Sequence, residues 1–268
     1  MLLLACCPVL NYAQEIMKVE LKNGTITEFN VEDINRVYFE NATAPDNPAN
    51  GKRLESIAYD DEVCYISYDD QGRMSTISTP EENYVITYGS GNISFNDNLY
   101  TLQDSKIISE QGSEINANFI YEDDKLVSYT DTDDGWTRVI TMGWSGGNNV
   151  TFKKTSNGTV THDATIEYYD DEAHPAVHGF FNRAAFVYGW PSISDFVLKQ
   201  GGYFLYPYYG ATAKNLVKRI TCTEYDDRDT YVYIYNFEYI RNAENDVVKV
   251  LVTNDEGSLT TYTLEWDK

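Results

Sequence analysis

Polar turns interrupt this chain at short, even intervals, and apolar and polar side chains alternate between them. Residues 65–68 lead into the turn residues 69–72, for example, and residues 73–77 continue the alternation. A period of two places successive side chains on opposite faces of a strand, so one face can be apolar and the other hydrated. Turns without helical crossovers between them imply that consecutive strands pair antiparallel. We therefore predict an all-β antiparallel meander of about fourteen strands, forming a barrel-like or strongly curved sheet.

The start of the chain indicates export. Residues 1–10 are apolar and uncharged, and residues 11–14 are typical of the small-residue cleavage site that ends a secretory signal. We predict a signal peptide over residues 1–13. The alternative is a lipobox at Leu3-Leu4-Ala5-Cys6, in which Cys6 is lipidated. Both alternatives place the protein in the periplasm or at the outer cell surface, either soluble or lipid-anchored.

The pattern of turn residues divides the rest of the chain into two domains. Alternating residues on either side of Asn23-Gly24, a strong hairpin signal, predict a small N-terminal β module over residues 14–41. Residues 42–52 contain two prolines and a glycine without apolar periodicity, which is typical of a linker. The meander domain is predicted over residues 53–268.

One segment of the meander domain, residues 173–213, breaks the alternation. It contains three prolines, several glycines and a dense set of aromatic residues. Residues 192–202 begin with a serine cap and end with a glycine stop, which together predict a short helix. An insertion this apolar is not a solvated loop. It must pack on the sheet, fill the mouth of a barrel or form a binding surface.

The charge of the chain limits its partners. It carries 42 Asp and Glu against 20 Lys and Arg, a formal net charge of −22. This field repels nucleic acid and anionic lipid, so neither is an expected partner. Membrane barrels need strands of about ten residues with an apolar outward band. The predicted strands are shorter and carry Thr, Ser, Glu and Asn on both faces, so we expect no integral membrane insertion.

The strand and turn unit Ile66-Ser67-Tyr68-Asp69-Asp70-Gln71-Gly72-Arg73-Met74 is similar to the Tyr-Asp repeats of large extracellular β proteins. Over residues 53–268, the order of the segments and the stretch Lys214-Asn215-Leu216-Val217-Lys218-Arg219-Ile220 resemble an uncharacterised family. Its members are exported proteins of Gram-negative gut bacteria, described as a domain of unknown function with a porin-like fold. The resemblance implies an antiparallel, barrel-like sheet and export, and it brings no catalytic residues.

Residues suited to metal binding are sparse. His174 and His178 follow Asp170, yet Pro175 disfavours the helix that would place both histidines on one face. We predict a polar loop there rather than a metal site. The stretch Asp131-Thr132-Asp133-Asp134-Gly135 lacks the glutamate of a calcium loop, so we predict a sheet turn. No cofactor is expected, apart from incidental calcium on so acidic a protein.

Motifs of catalysis are equally sparse. The sequence contains no nucleophile elbow and no phosphate loop. Whether the protein is an enzyme stays open, and a non-catalytic function is favoured. Cys64 and Cys222 would remain after signal cleavage, either as a disulfide or as two buried thiols.

Binding is the favoured function, and the aromatic insertion is its predicted location. Aromatic rings with a polar group stack on sugars or pack in protein interfaces, so the expected partner is a glycan or an envelope protein. The candidate ligand-binding residues are Trp190, Tyr203, Tyr206, Tyr208, Tyr209 and Asp195. Two alternatives stay open: a structural or assembly component whose aromatic insertion is only core, and a hydrolase whose acids the sequence does not locate. The sequence predicts no oligomeric state.

Overall fold

The structure is a computed structural model. It describes residues 16–20, 26–30, 52–59, 62–80, 83–95, 98–112, 116–133, 135–174, 176–177, 205, 207–226 and 228–267. The predicted signal peptide with Cys6, most of the linker and the predicted helix lie outside these residues. The chain divides into two compact units, residues 1–41 and 42–268. The first contains β1 (Ile16–Glu20) and β2 (Ile26–Asn30), which pair as an antiparallel hairpin.

Sixteen further strands belong to the second unit. Their bounds are β3 (Leu54–Tyr59), β4 (Glu62–Tyr68), β5 (Met74–Ser78), β6 (Asn83–Gly89), β7 (Asn92–Phe95), β8 (Asn98–Gln103), β9 (Lys106–Gln111), β10 (Asn116–Glu122), β11 (Lys125–Asp133), β12 (Trp136–Ser145), β13 (Asn148–Ser156), β14 (Thr159–Glu172), β15 (Asn215–Tyr225), β16 (Thr230–Arg241), β17 (Val247–Asn254) and β18 (Leu259–Trp266).

These sixteen strands form a closed antiparallel barrel in which each strand pairs with its neighbours in sequence. The last strand closes the circle on the first, with Leu264 of β18 opposite Ile57 of β3. The prediction of an all-β antiparallel meander with a barrel-like sheet is confirmed. The barrel has sixteen strands rather than about fourteen, because strands as short as the four-residue β7 become distinct only through their pairing.

Apolar side chains fill the barrel. Each of the sixteen strands contributes at least one buried apolar residue to a single core cluster, from Ile57 on β3 to Leu264 on β18. In β10 the alternation is strict, since Ala117 and Phe119 are buried while the residues between and beside them are exposed. Burying one side chain such as Ile57 contributes about 2 kcal/mol. The inward face of the sheet is therefore the main source of stability.

One end of the barrel carries a repeated hydrogen bond. We call the end where β3 begins and β4 ends the upper end, and the end with the β3–β4 turn the lower end. At the upper end, an aromatic side chain on the second strand of a hairpin donates to a carbonyl near the start of the first strand. Tyr68, for example, donates to the Leu54 carbonyl at 2.8 Å. Seven of the eight hairpins share this aromatic ladder, whose donors are Tyr68, Tyr88, Tyr121, Trp144, Tyr168, Tyr239 and Trp266.

The aromatic insertion lies between β14 and β15, and its described C-terminal part turns into the upper end of the barrel. Ala211 donates its backbone N–H to the Asp124 carbonyl at 2.7 Å. Gly210 has a φ of +76° and approaches the same carbonyl so closely that a Cβ would clash, so the turn requires glycine. This part of the insertion fills the barrel mouth, which is one of the three predicted placements.

Both described cysteines are buried free thiols. Cys64 lies on β4 and Cys222 on β15, and they form no disulfide with each other. Burial raises the pKa of each thiol to about 12. The structure therefore favours the second of the two alternatives for these cysteines. Among the residues that the structure describes, no helix is long and apolar enough to cross a membrane.

Candidate functional site

The predicted ligand-binding residues fall into two groups. Four of them lie outside the described residues and their role stays a prediction: Trp190, Tyr203, Tyr206 and Asp195. Tyr208 and Tyr209 are described, and both are buried in the core. The Tyr209 ring centre lies 5.4 Å from that of Phe119. For these two tyrosines, burial favours the alternative in which the insertion serves as core.

The residues considered as metal ligands have different surroundings. Asp170 is exposed near the end of β14, and His178 lies outside the described residues. His174 packs edge-on against Trp266, with ring centres 4.4 Å apart. Among the residues that the structure describes, no group of three His, Cys, Asp or Glu is placed to hold a metal ion.

An open cleft of about 580 Å³ lies at the upper end of the barrel, beside β3, β17 and β18. Trp266 forms part of its wall, and the indole N–H of this residue donates to the Val247 carbonyl at 2.8 Å. The volume is in the range of small-ligand sites. The other lining residues are Lys52, Glu55, Asn242, Glu244, Asp246, Val248, Leu264, Glu265 and Asp267.

Carboxylates dominate this cleft, with five acidic residues against one lysine. Lys52 donates to the Asp246 carboxylate at 2.6 Å, and Asn242 donates to the same oxygen at 3.1 Å. Burial alone would raise the pKa of Asp246, but these two hydrogen bonds hold it below its ordinary value. The cleft is therefore suited to ligands that donate hydrogen bonds or carry positive charge, and it disfavours anions.

His174 connects the wall of the cleft to the start of the aromatic insertion. Its ring packs on Trp266, and its Nδ1 accepts a hydrogen bond from the Ala176 backbone N–H at 3.2 Å. Burial lowers the pKa of His174 to about 4, so the imidazole is neutral at pH 7. A neutral, packed imidazole holds the Trp266 ring in place where the insertion begins.

A second polar arrangement lies inside the barrel near its lower end. Asp131 faces inward and accepts a hydrogen bond from the Arg138 guanidinium at 2.6 Å. Residues 131–133 are therefore part of β11, and the predicted turn over residues 131–135 was wrong for them, because the carboxylate pairs across strands instead of with its own backbone. Further polar residues on β9 to β15 belong to this inward row. Glu110 and Asp131 lie on either side of their shared partner Ala117. Lys154 pairs with His162, and His162 pairs with Glu224.

Glu110 is the member of this row with the most unusual surroundings. The Tyr100 hydroxyl and the Asn98 amide both donate to its Oε1 at 2.9 Å, while no described residue bonds to its Oε2. Burial raises the pKa of Glu110 to about 6, and the charge of Asp131 adds to the rise. A carboxyl group of raised pKa beside a second carboxylate is the acid–base arrangement of many glycoside hydrolases. Glu110 is only 2% exposed and Asp131 only 3%, so a substrate does not reach them and the pair gives the hydrolase alternative no support.

Neither the cleft nor the inward row was predicted from the sequence. The cleft joins residues far apart in the chain, since Lys52 and Asp246 are 194 residues apart. One signal was available. The pair Trp266-Asp267 repeats the pattern of Tyr68-Asp69, and both pairs mark the upper end of a hairpin.

Comparison with known proteins identifies the fold. No protein-family model matches the sequence, and no curated protein matches it. The structure is similar to the crystal structure of a porin-like protein from Bacteroides uniformis ATCC 8492, with a TM-score of 0.57 and 14% identity over 81% of this chain and 96% of that one. It is also similar to a porin-like protein from Bacteroides vulgatus ATCC 8482, with a TM-score of 0.56 and 13% identity over 80% and 98% of the chains. At this identity the likeness concerns the fold alone.

Proposed function

We propose that this protein is an exported, non-catalytic protein of the cell envelope that binds a glycan at the upper end of the barrel. The observation that carries the proposal is the open cleft with Trp266 in its wall and polar residues around it. Aromatic rings stack on the apolar faces of sugars, and carboxylate, amide and amine groups bind sugar hydroxyls. The excess of carboxylates favours neutral or amine-bearing sugars over sulfated or uronic ones.

The aromatic insertion is expected to extend this site. It leaves β14 next to His174, whose ring packs on Trp266, so the first residues of the insertion adjoin the cleft. An envelope protein is the second candidate partner. A protein interface usually buries on the order of 1,600 Å² around an apolar centre, and a small charged cleft suits a sugar better.

Charge on the outward face of the barrel supports a position in the envelope without insertion into a bilayer. Five charged side chains lie exposed well within the length of barrel strands, where a membrane barrel would carry its apolar band: Lys153, Glu167, Lys218, Glu238 and Lys249. A charged residue at the middle of a bilayer costs about 2–4 kcal/mol. Export itself rests on the predicted signal segment, and the porin-like fold of the Bacteroides neighbours agrees with it.

Glycan-array binding of the full chain and of two tryptophan variants tests the proposal. Trp266→Ala removes the cleft indole and one bond of the aromatic ladder. Trp144→Ala is the matched control, because Trp144 donates the equivalent bond to the Leu126 carbonyl at 2.9 Å and does not line the cleft. We expect Trp266→Ala to lose glycan binding and Trp144→Ala to keep it, with both variants folded by circular dichroism.

A third variant, Trp190→Ala, tests the contribution of the insertion and should weaken the same binding. Equal glycan binding by the wild type and Trp266→Ala would show that the cleft is not the glycan-binding site. Absence of binding to any glycan by the folded wild type would favour the structural or assembly alternative.

A further inference from the structure

One hairpin of the barrel extends past its neighbour at the lower end. β17 ends at Asn254, opposite Tyr235 of β16, and their pairing runs from there toward the upper end. β16 itself begins five residues earlier, at Thr230, and pairs with β15 throughout that extension. Residues 230–234 therefore have β15 on one side and lie past the end of β17 on the other.

The outermost part of this extension, Thr230–Val232, is a solvent-exposed strand edge, which we call the β16 edge. Tyr231 is 46% exposed and Val232 is 50% exposed, on opposite faces of the strand. Tyr233, the next residue, is held by its hydroxyl on Glu224 at 3.1 Å. Exposed edges are normally protected by lysine, proline or a bulge. The β16 edge has none of these, and its sequence of threonine, tyrosine and valine favours strand pairing.

Negative charge surrounds the β16 edge. Asp226 and Asp229 lie in the turn that joins β15 to β16, and Asp255 and Glu256 lie in the turn that follows β17. All four are exposed, and Arg228 is the only base among the described residues of these two turns. An extended segment that approaches this edge therefore meets a field that favours lysine and arginine and opposes acidic chains.

We propose that the β16 edge is a docking site for an extended basic peptide segment of another protein, which adds as a strand alongside Thr230–Val232. This inference goes beyond glycan binding, because the edge lies at the lower end of the barrel and the cleft at the upper end. Backbone hydrogen bonds supply the attachment, and alternating lysines supply the charge match. A second copy of this chain is the less suitable occupant, because two edges would bring together two sets of the same acids.

Hydrogen exchange of the full chain with and without synthetic peptides tests the proposal. The probes are a peptide of alternating lysine and valine, its counterpart with glutamate in place of lysine, and the lysine peptide with every amide N-methylated. We expect the lysine peptide to slow amide exchange at residues 230–234 and to bind at least about tenfold more tightly than the glutamate peptide. The N-methylated peptide should give no protection, because it cannot donate to the edge.

A pair of matched variants locates the effect. Val232→Lys places a positive charge on the β16 edge and should weaken binding of the lysine peptide about tenfold. Tyr65→Lys adds the same charge at a similarly exposed outward position on β4, where strands pair on both sides, and should leave binding unchanged. The proposal fails if about 1 mM lysine peptide gives no protection at residues 230–234, or if both variants bind alike. It also fails if the chain alone protects these amides by forming a dimer.

Discussion

Arg53 binds Asp267 across the seam of the barrel, which is the junction where β18 pairs with β3. Arg73 binds Asp69 in the same way across the turn between β4 and β5. In each pair, one carboxylate oxygen accepts the arginine backbone N–H and the other accepts its Nε–H, at 2.7 and 2.8 Å in the seam and at 2.9 and 2.8 Å in the turn. Four residues separate Asp69 from Arg73, whereas 214 separate Arg53 from Asp267. The seam between β18 and β3 thus repeats a hairpin junction without the connecting turn.

Removing either carboxylate should lower stability, but only one of the two substitutions should loosen the pairing of β3 with β18. Asp267→Ala deletes two hydrogen bonds to Arg53 and should lower the free energy of unfolding by about 1–2 kcal/mol. Asp69→Ala deletes two bonds to Arg73 and a third from the Gln71 backbone N–H at 2.9 Å, so its loss of stability should be at least as large. Only Asp267→Ala should also speed amide exchange along β3 and β18, because no turn holds these strands together there. Unchanged exchange in both strands of Asp267→Ala would show that the strand pairing alone closes the barrel.

The architecture of the barrel followed from the sequence, because alternation and turn residues are local signals. The contacts across the seam were not predictable in this way. Asp69 and Asp267 both follow an aromatic residue, but the sequence does not tell which arginine approaches Asp267. Closure depends on the summed twist and register of sixteen strands, and a local pattern does not contain that sum.

The candidate site was less predictable for a related reason. Asp131 stands among turn-forming residues, and only its pairing with Arg138 on the next strand turns it inward. Trp266 was not among the predicted binding residues, because its place in the cleft wall depends on Lys52 and Asp246, which closure of the barrel brings beside it. The insertion, by contrast, was recognisable from composition, and its described part fills the mouth as one of the predicted placements.

Each hydrogen bond of the aromatic ladder should contribute separately to the free energy of unfolding. Tyr121→Phe removes the hydroxyl that donates to the Ile107 carbonyl at 2.7 Å and keeps the ring. We expect a loss of about 1 kcal/mol in the free energy of unfolding, measured in urea. Tyr65→Phe serves as the control, because its side chain is exposed on the outward face. Equal stability of the two variants would mean that water replaces the ladder bond without cost.

The two buried cysteines should be inert in the folded protein. Because burial raises the pKa of Cys64 and Cys222 to about 12, neither forms a thiolate at pH 8. Iodoacetamide should therefore label neither thiol until urea unfolds the chain, and both then become reactive. Labelling of either cysteine under native conditions, detected by mass spectrometry of peptides, would reveal an opening of the barrel core.

His174 should make the protein less stable in acid. Its pKa is about 4 when folded and about 6.5 when unfolded, so the native state binds fewer protons between these values. The stability is complete above pH 6.5 and falls as the pH drops toward 4, by at most about 3 kcal/mol. His174→Gln removes this titration, and its urea midpoint should fall less over the same interval. An identical pH slope in variant and wild type would contradict the buried, neutral imidazole.

The titration of Glu110 should change the free energy of unfolding with pH in the direction opposite to that of His174. Its pKa is about 6 when folded against an ordinary 4.5, so the native state binds more protons between these values. The stabilisation that it supplies is complete below pH 4.5 and is lost as the pH rises through 6, a change of about 2 kcal/mol. Glu110→Gln keeps an oxygen for the Tyr100 hydroxyl and carries no charge. We therefore expect this variant to be more stable than the wild type at pH 7 and about equal to it at pH 4.

The outward residue Glu167 gives the matched control for this substitution, because it is exposed on β14. Glu167→Gln should leave the free energy of unfolding at pH 7 within about 0.5 kcal/mol of the wild type. The Glu110 and His174 windows overlap between pH 4.5 and 6 with opposite signs, so the stability of the wild type should change little there. In the same interval, the stability of Glu110→Gln should fall toward acid and that of His174→Gln should rise toward acid. A wild-type slope that neither substitution changes would show that the inward row and the cleft wall are not the groups that titrate.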